Sequence, residues 1–135
     1  MMLTLDTSGV YALLNRADPD HKRTAAALQA DAGPYVLPAA ILSEVGYLVG
    51  RRLGDKVLDT FLDDLEAGHF TVDYGEEDVP RIRELVKRYA PLPLSVADAA
   101  VIACAERRGG RVLTLDERDF NTVAREGRIF PEPKT

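Results

Sequence analysis

Four acidic residues lie where the sequence pattern places the ends of strands or the beginnings of helices. These residues are Asp6, Glu44, Asp98 and Asp116. Carboxylates buried close together repel one another, and this arrangement is costly unless cations compensate their charge. Carboxylate oxygens suit the hard cations Mg²⁺ and Mn²⁺, and no Cys or His residues show the spacing of a zinc site. The four acids therefore predict a site for divalent cations.

The elements around these acids predict where each one lies. Asp6 directly follows the first apolar strand, and Asp116 follows the fourth strand after a single Leu. The carboxyl ends of parallel strands share one edge of a sheet, and ligands bind there at the switch in strand order. Asp98 lies in the first turn of an apolar helix, and Glu44 lies early in the helix after the second strand. All four carboxylates are thus expected at one rim.

Each acid also has an ordinary structural interpretation. Asp98 fits the last position of a capping box that begins at Ser95, and Asp6 can begin a turn. Asp116 can start a helical turn, and Glu44 can lie at the solvent margin of its helix. The metal site is favoured because four independent events of this kind would not all fall at one rim.

The elements expected to position these acids alternate between strands and helices. Strands are predicted at residues 3–5, 35–37, 70–72, 111–114 and 127–130. Helices are predicted at residues 20–32, 39–52, 57–65, 76–89 and 95–108, with shorter helical turns at 10–14 and 116–121. Such alternation is typical of α/β proteins, whose parallel sheet carries helices on both faces. We therefore expect one α/β domain with a central parallel sheet of about five strands.

Length and composition are those of a single globular domain. The chain has 135 residues, 46% of them apolar, and its 22 acidic residues exceed its 17 basic ones. This balance argues against nonspecific binding of duplex nucleic acid through a basic surface. It does not exclude nucleic acid, because cations held by a carboxylate cluster reverse the local potential. The lone Cys104, together with the lack of a leader or a long apolar segment, predicts a cytoplasmic protein without membrane contact.

An ordered set of short motifs extends over almost the whole chain. They are Leu5-Asp6-Thr7-Ser8, Ala12-Leu13-Leu14-Asn15 before Asp20-His21, Pro38 with Ser43-Glu44-Val45, Ser95-Val96-Ala97-Asp98-Ala99, and Leu113-Thr114-Leu115-Asp116 before Asp119-Phe120. By this set, residues 1–133 resemble the PIN-domain nucleases, and among them the VapC-like toxin ribonucleases of VapBC toxin–antitoxin systems. The resemblance implies a three-layer fold in which helices flank the central sheet.

The activity that this resemblance implies is that of an endoribonuclease dependent on Mg²⁺ or Mn²⁺. The family's metal-site positions match Asp6, Glu44, Asp98 and Asp116, and its supporting positions match Thr7 or Ser8, Thr114 and Asp119. One or two cations would orient a water molecule, lower its pKa and neutralise charge on the scissile phosphate. We expect Asp6 and Asp98 to bind a cation directly, and the other two acids to bind it directly or through water.

The resemblance also implies an RNA substrate, a homodimer and, for a toxin, a small antitoxin protein. The antitoxin is expected to bring an Arg or Lys to the carboxylates and so replace the charge of the cation. Two consecutive helices have more apolar positions than one stripe needs, and such a surplus often marks an association surface. These positions are Leu42, Val45, Tyr47, Val49, Leu53, Val57, Phe61 and Leu65. The alternative is that the helices pack only on each other and on the sheet.

Functions of other classes make different demands on the sequence. A phosphorylation-dependent receiver domain needs a Lys near its acidic pocket, and no Lys directly follows the fourth or fifth predicted strand. A phosphatase with an aspartyl nucleophile needs a second Asp at position 8, which is Ser8. A housekeeping ribonuclease and a catalytically silent scaffold of the same fold remain open.

The basic residues have ordinary interpretations. The cluster of Arg81, Arg83, Lys87 and Arg88 shares its helix with Glu84, which favours a solvated, ion-paired face. Arg107 and Arg108 lie at a helix C-terminus, where the helix dipole alone accounts for cations. No catalytic role is predicted for either group.

Overall fold

Five parallel strands form the centre of the computed structural model, which describes residues 2–30 and 33–133. The strands are β1 (Leu3–Leu5), β2 (Tyr35–Pro38), β3 (Thr71–Asp73), β4 (Arg111–Leu113) and β5 (Phe130–Glu132). Their order in the sheet is β3-β2-β1-β4-β5. The chain therefore moves outward from β1 to β3 and then returns to place β4 beside β1. The switch in strand order lies between β1 and β4, where α/β sheets bind their ligands.

Seven α-helices connect these strands within the described residues. They are α1 (Thr7–Leu14), α2 (His21–Gln29), α3 (Ala39–Leu53), α4 (Asp55–Glu66), α5 (Val79–Arg88), α6 (Val96–Arg107) and α7 (Glu117–Ala124), with a 3₁₀ turn at Glu76–Asp78 before α5. None of these helices is both long and apolar enough to span a bilayer.

The core lies between the central strands and the helices that cover them. Every residue of β1 is buried, as expected for a strand with helices on both faces of its sheet. Helix α6 is buried continuously from Ala99 to Ala105, which confirms the sequence prediction of a central apolar helix. Phe61 and Phe120 are fully buried and bring α4 and α7 into this core.

The parallel α/β fold predicted from the sequence is confirmed, and its first four strands lie within about one residue of their predicted bounds. The fifth prediction is wrong, because β5 begins at Phe130 and includes Pro131. A Pro within a strand argued against pairing there, yet β5 is an edge strand, and Pro is tolerated at an edge where no neighbour needs its N–H.

Several helix bounds also differ from prediction, and among them α4 begins at Asp55 rather than residue 57 and α7 ends at Ala124 rather than residue 121. Helix α1 begins at Thr7 rather than residue 10, because Asp6 is its N-cap and the predicted turn is the first helical turn. The predicted helix at 76–89 divides into the 3₁₀ turn and α5, which has a Pro in its first turn. Helix α2 ends at Gln29, and Ala32, the predicted end, lies outside the described residues.

Most of the apolar positions predicted to form an association surface are internal. Val45, Val49 and Phe61 are buried, and the other aliphatic residues of the set pack against the core. Tyr47 is the exception, with 65% of its surface exposed. The alternative interpretation of these helices, in which they pack on each other and on the sheet, accounts for the rest.

Candidate active site

Asp6 lies at the carboxyl end of β1 and is the most firmly held acid of the predicted site. The pairing of Leu5 with Leu113 brings Asp6 beside Thr114 at the end of β4. Only 4% of Asp6 is exposed, and its Oδ2 accepts hydrogen bonds from Thr114 Oγ1 at 2.8 Å and Ser8 Oγ at 3.0 Å. The ends of β1 and β4, together with the first turn of α1, therefore fix this carboxylate.

Backbone N–H groups orient the two hydroxyls toward Asp6. The N–H of Leu115 donates to Ser8 Oγ at 2.9 Å, and the N–H of Asp116 donates to Thr114 Oγ1 at 3.0 Å. Because each hydroxyl oxygen already accepts a bond, its proton is free to point at the carboxylate. This arrangement predicts rigid positioning of the Asp6 side chain.

Gly9 allows the close approach of α1 to β4 that this network requires. A Cβ at position 9 would lie 2.7 Å from the carbonyl oxygen of Leu113, a distance that side chains do not tolerate. In the sequence, Gly9 ends the turn Asp6-Thr7-Ser8-Gly9 that Asp6 can begin. Gly9 directly follows Ser8 and lies three residues after the predicted ligand Asp6. This position was the available signal, since a Gly in such a place often permits close packing of backbones.

Asp98, Asp116 and Asp119 form a compact group of carboxylates. Each has one oxygen within 4.8 Å of the others, a spacing that could hold a metal ion. Asp98 lies in the first turn of α6, and its N–H donates to Ser95 Oγ at 3.0 Å. Asp116 is the N-cap of α7 and accepts from the N–H of Asp119 at 3.3 Å. Asp98 and Asp116 therefore lie at the starts of their helices, as their ordinary interpretation predicts. Capping alone does not require the three carboxylates to lie so close together.

The electrostatics of the group are unfavourable without a cation. Burial, followed by the charges of Asp6 and Asp116, raises the pKa of Asp98 to about 7. Burial likewise raises the pKa of Asp6 against the hydrogen bonds from Thr114 and Ser8. In the described part of the chain, no Lys or Arg forms an ion pair with Asp6, Asp98 or Asp116. Oxygen ligands with uncompensated charge are what a hard divalent cation requires.

Of the remaining predicted residues, Ser8 and Asp119 lie in the site, whereas the side chains of Thr7 and Glu44 do not join its contacts in the part of the chain that the structure describes. Ser8, rather than Thr7, supplies the second hydroxyl to Asp6, while Thr7 Oγ1 is buried with no hydrogen-bond partner among the described residues. Asp119, predicted as a supporting residue, lies within the compact group itself. Glu44 lies in the second turn of α3 with an exposed side chain and is not a member of that group, so its role at the metal stays a prediction.

A second group of acidic residues has the spacing for a metal ion, but its carboxylates already form ion pairs with arginine side chains. It consists of Asp73, Glu77 and Asp78. Arg107 donates to Asp73 at 2.7 Å and to Asp78 at 2.6 Å. Burial would raise the pKa of Asp73, but the hydrogen bonds from Arg107 and Arg108 outweigh it and the pKa is lowered. The guanidinium groups thus compensate the negative charge that a metal ion would otherwise compensate.

Comparisons with known proteins agree with this fold. The PIN domain family model matches residues 3–126 of the chain. Ribonuclease VapC26 of Mycobacterium tuberculosis (strain ATCC 25618 / H37Rv) is 28% identical over 123 residues, which cover 90% of this chain and 91% of the relative.

Solved structures show the same fold at lower identity. The Sarcin-Ricin loop cleaving toxin VapC20 of Mycobacterium tuberculosis superimposes with a TM-score of 0.78 at 20% identity, over 89% of this chain and 94% of that one. VapBC2 from Rickettsia felis, bound to a DNA fragment from their promoter, gives a TM-score of 0.73 at 15% identity over 100% of both chains. FitAcB from Neisseria gonorrhoeae gives 0.68 at 22% identity, over 98% of this chain and 97% of that one.

Proposed function

The chain belongs to the PIN domain family, and from this membership and its uncompensated carboxylates we propose that it is an endoribonuclease dependent on Mg²⁺ or Mn²⁺. The observation that carries the proposal is the group of Asp98, Asp116 and Asp119 beside the buried Asp6. Within residues 2–30 and 33–133, no basic side chain is paired to Asp6, Asp98 or Asp116. The similarity of the chain to Ribonuclease VapC26 supports RNA as the substrate. The resemblance of its motifs to the VapC-like toxin ribonucleases supports a role as the toxin component of a type II toxin–antitoxin system.

The residues of this chain would divide the work at the metal. Asp6 and Asp98 would bind the cation directly, and Asp116 and Asp119 would complete its shell with Glu44. A bound cation would supply a water molecule of lowered pKa and charge to neutralise the scissile phosphate. Ser8 and Thr114 hold Asp6 in place through Oδ2, so that the carboxylate need not reorganise when the substrate binds.

Removal of the metal tests this proposal directly. Purified protein should cleave RNA in millimolar Mg²⁺ or Mn²⁺, lose the activity on chelation and recover it when the cation is restored. Single-stranded DNA of the same sequence serves as the comparison substrate. Cleavage that persists in chelator would contradict the metal-dependent mechanism, and cleavage of DNA alone would contradict the choice of substrate.

Metal binding should stabilise the fold more strongly at pH 8 than at pH 5. The folded pKa of Asp98, about 7, lies above its ordinary value, so the stability that this group contributes is present at low pH and is lost as the pH rises through 7. A cation binds the ionised form and restores the loss. At about 100 times its Kd the cation should add about 2.7 kcal/mol at pH 8. Thermal melts with and without Mn²⁺ at both pH values measure this, and equal gains at both would contradict the site.

The hydroxyl of Thr114 should matter more than its volume. Thr114→Val removes the bond to Asp6 and the acceptor for the N–H of Asp116, and we expect roughly 10–100-fold weaker Mn²⁺ binding by calorimetry. Thr114→Ser should retain most of the affinity. Thr4→Val is the matched control, because Thr4 is equally buried on the neighbouring strand and its hydroxyl has no hydrogen-bond partner in the described part of the chain. A similar loss in both Val variants would assign the effect to packing.

The proposed partners are an antitoxin and a second copy of the chain. The resemblance to the toxins of VapBC systems, together with the structural similarity to VapBC2, supports an antitoxin for this chain as well. An Arg or Lys from that antitoxin would compensate the same carboxylates that the cation does. Co-purification with the product of a neighbouring small reading frame tests the antitoxin, and light scattering tests the homodimer. A monomer that is harmless when expressed, despite proven cleavage, would instead indicate a housekeeping ribonuclease.

A further inference from the structure

Arg81 lies at the centre of an ion-paired cluster that is more buried than the sequence indicates. Its side chain is 14% exposed and binds both oxygens of Glu106, through Nε at 2.9 Å and Nη2 at 2.8 Å. The same Nη2 donates to Glu126 at 2.8 Å. The predicted solvated face is correct for Arg88 and Glu84, which are 50% and 51% exposed, but it is wrong for Arg81.

Glu126 fastens the end of α7 to this cluster. It follows the last residue of α7 closely, and it accepts hydrogen bonds from Arg81, Arg88 and the hydroxyl of Tyr89. Burial opposes its ionisation, but these hydrogen bonds outweigh burial and lower the pKa of Glu126 to about 2. The carboxylate is therefore charged at every pH at which the enzyme would work, and the tether persists.

Helices α6 and α7 meet at both of their ends. At their beginnings, Asp98 of α6 lies within 4.8 Å of Asp116 and Asp119 of α7. At their far ends, Glu106 of α6 and Glu126 after α7 bind the same guanidinium group. Asp98 and Glu106 are roughly two helical turns apart, so a shift at one end is transmitted along a short, stiff element.

Apolar packing alone is poorly suited to fix this relation. Helix α7 has eight residues, and its buried side chains are Phe120 and Val123. Hydrophobic burial is non-directional and resists a small slide along the helix axis weakly. A guanidinium that binds two carboxylates in fixed geometry opposes such a slide, because its donors form a rigid planar fork.

We propose that Arg81 is a positioning residue for the metal site, which fixes the spacing of Asp98 from Asp116 and Asp119 by holding the far ends of α6 and α7 together. This inference rests on the proposed metal-dependent function. Metal sites demand ligand distances within a few tenths of an ångström, so a small displacement of one helix is enough to weaken binding.

Mn²⁺ calorimetry on the full chain tests the role, with hydrogen exchange in residues 117–126 as a second measurement. Arg81→Met should weaken Mn²⁺ binding by about tenfold and speed exchange in that segment, and Arg81→Lys should recover part of both. Glu126→Gln removes the charge that holds the end of α7 to Arg81, leaves the bonds between Arg81 and Glu106 in place, and should reproduce the effect if Arg81→Met fails to fold. Arg88→Met, which deletes the exposed cation on Glu126, should leave Mn²⁺ binding unchanged.

Arg107→Met separates positioning from general stability. Arg107 also anchors the end of α6 through buried ion pairs, but it makes none to α7. The Arg107→Met variant should lower the melting temperature at least as much as Arg81→Met, but it should retain Mn²⁺ binding. Wild-type affinity in Arg81→Met and Glu126→Gln would overturn the role of Arg81 alone. Absence of Mn²⁺ binding by the wild type would overturn the proposed function, and with it any role of Arg81 at the metal.

Discussion

Asp98→Asn should reduce RNA cleavage by roughly 10³-fold or more, because a lost metal ligand forfeits about 4 kcal/mol of transition-state stabilisation. The fold should survive, since the cap of α6 is a bond from the backbone N–H of residue 98 to Ser95 Oγ, which Asn retains. The amide cannot supply the negative charge that a divalent cation needs. Cleavage rates at saturating Mg²⁺, with circular dichroism to verify the fold, measure the change.

The same variant should be at least as stable as the wild type at pH 8 in the absence of metal. The charged form of Asp98 is disfavoured by burial and by the charges of Asp6 and Asp116, so removal of its charge relieves the folded state. Asp55→Asn is the matched control, because Asp55 is an exposed acid in the first turn of α4. It should leave cleavage unchanged. Full activity in Asp98→Asn would leave Asp98 with only a role at the start of its helix.

Arg107→Met should lower the free energy of unfolding by about 3 kcal/mol at pH 7, the lower end of what a broken buried ion pair costs. The side chains of Asp73 and Asp78 are 4% and 6% exposed, and Arg107 pairs with both. Arg108 still compensates Asp73 in the variant, but Asp78 is left as a buried charge. Urea denaturation measures the loss.

Two further variants and the pH dependence separate this effect from lost packing. Arg23→Met breaks an ion pair whose side chains are 37% and 39% exposed, and it should cost less than about 1 kcal/mol. The triple variant Arg107→Met, Asp73→Asn, Asp78→Asn removes the stranded charges and should recover much of the stability. The lowered pKa of Asp73 gives stability that is present above its ordinary value and is lost in acid, so wild type and Arg107→Met should converge below pH 4. A loss under 1 kcal/mol at pH 7 would contradict the assignment.

The sequence alone determined the parallel α/β fold and most of the candidate site. Short apolar runs that end just before Asp6 and, after a single Leu, before Asp116 predict strand ends, and parallel strands place their carboxyl ends at one edge. An apolar helix beginning Ser95-Val96-Ala97-Asp98 must be central, so its first acid lies near the same edge. These conclusions depend on the spacing of apolar residues and on the residues that end strands and begin helices. Both are local properties of the sequence.

The tertiary structure decided what depends on contacts between distant residues. It chose Ser8 over Thr7 at Asp6, brought Asp119 into the compact carboxylate group and left Glu44 exposed on α3, outside that group. It also paired Arg107 with Asp73 and Asp78, and Arg81 with Glu106 and Glu126, where the sequence indicated helix-dipole cations and a solvated face. Periodicity reports which face of a helix is buried, but not which charged side chain from another element meets it, because that partner is chosen by the packing of the whole chain.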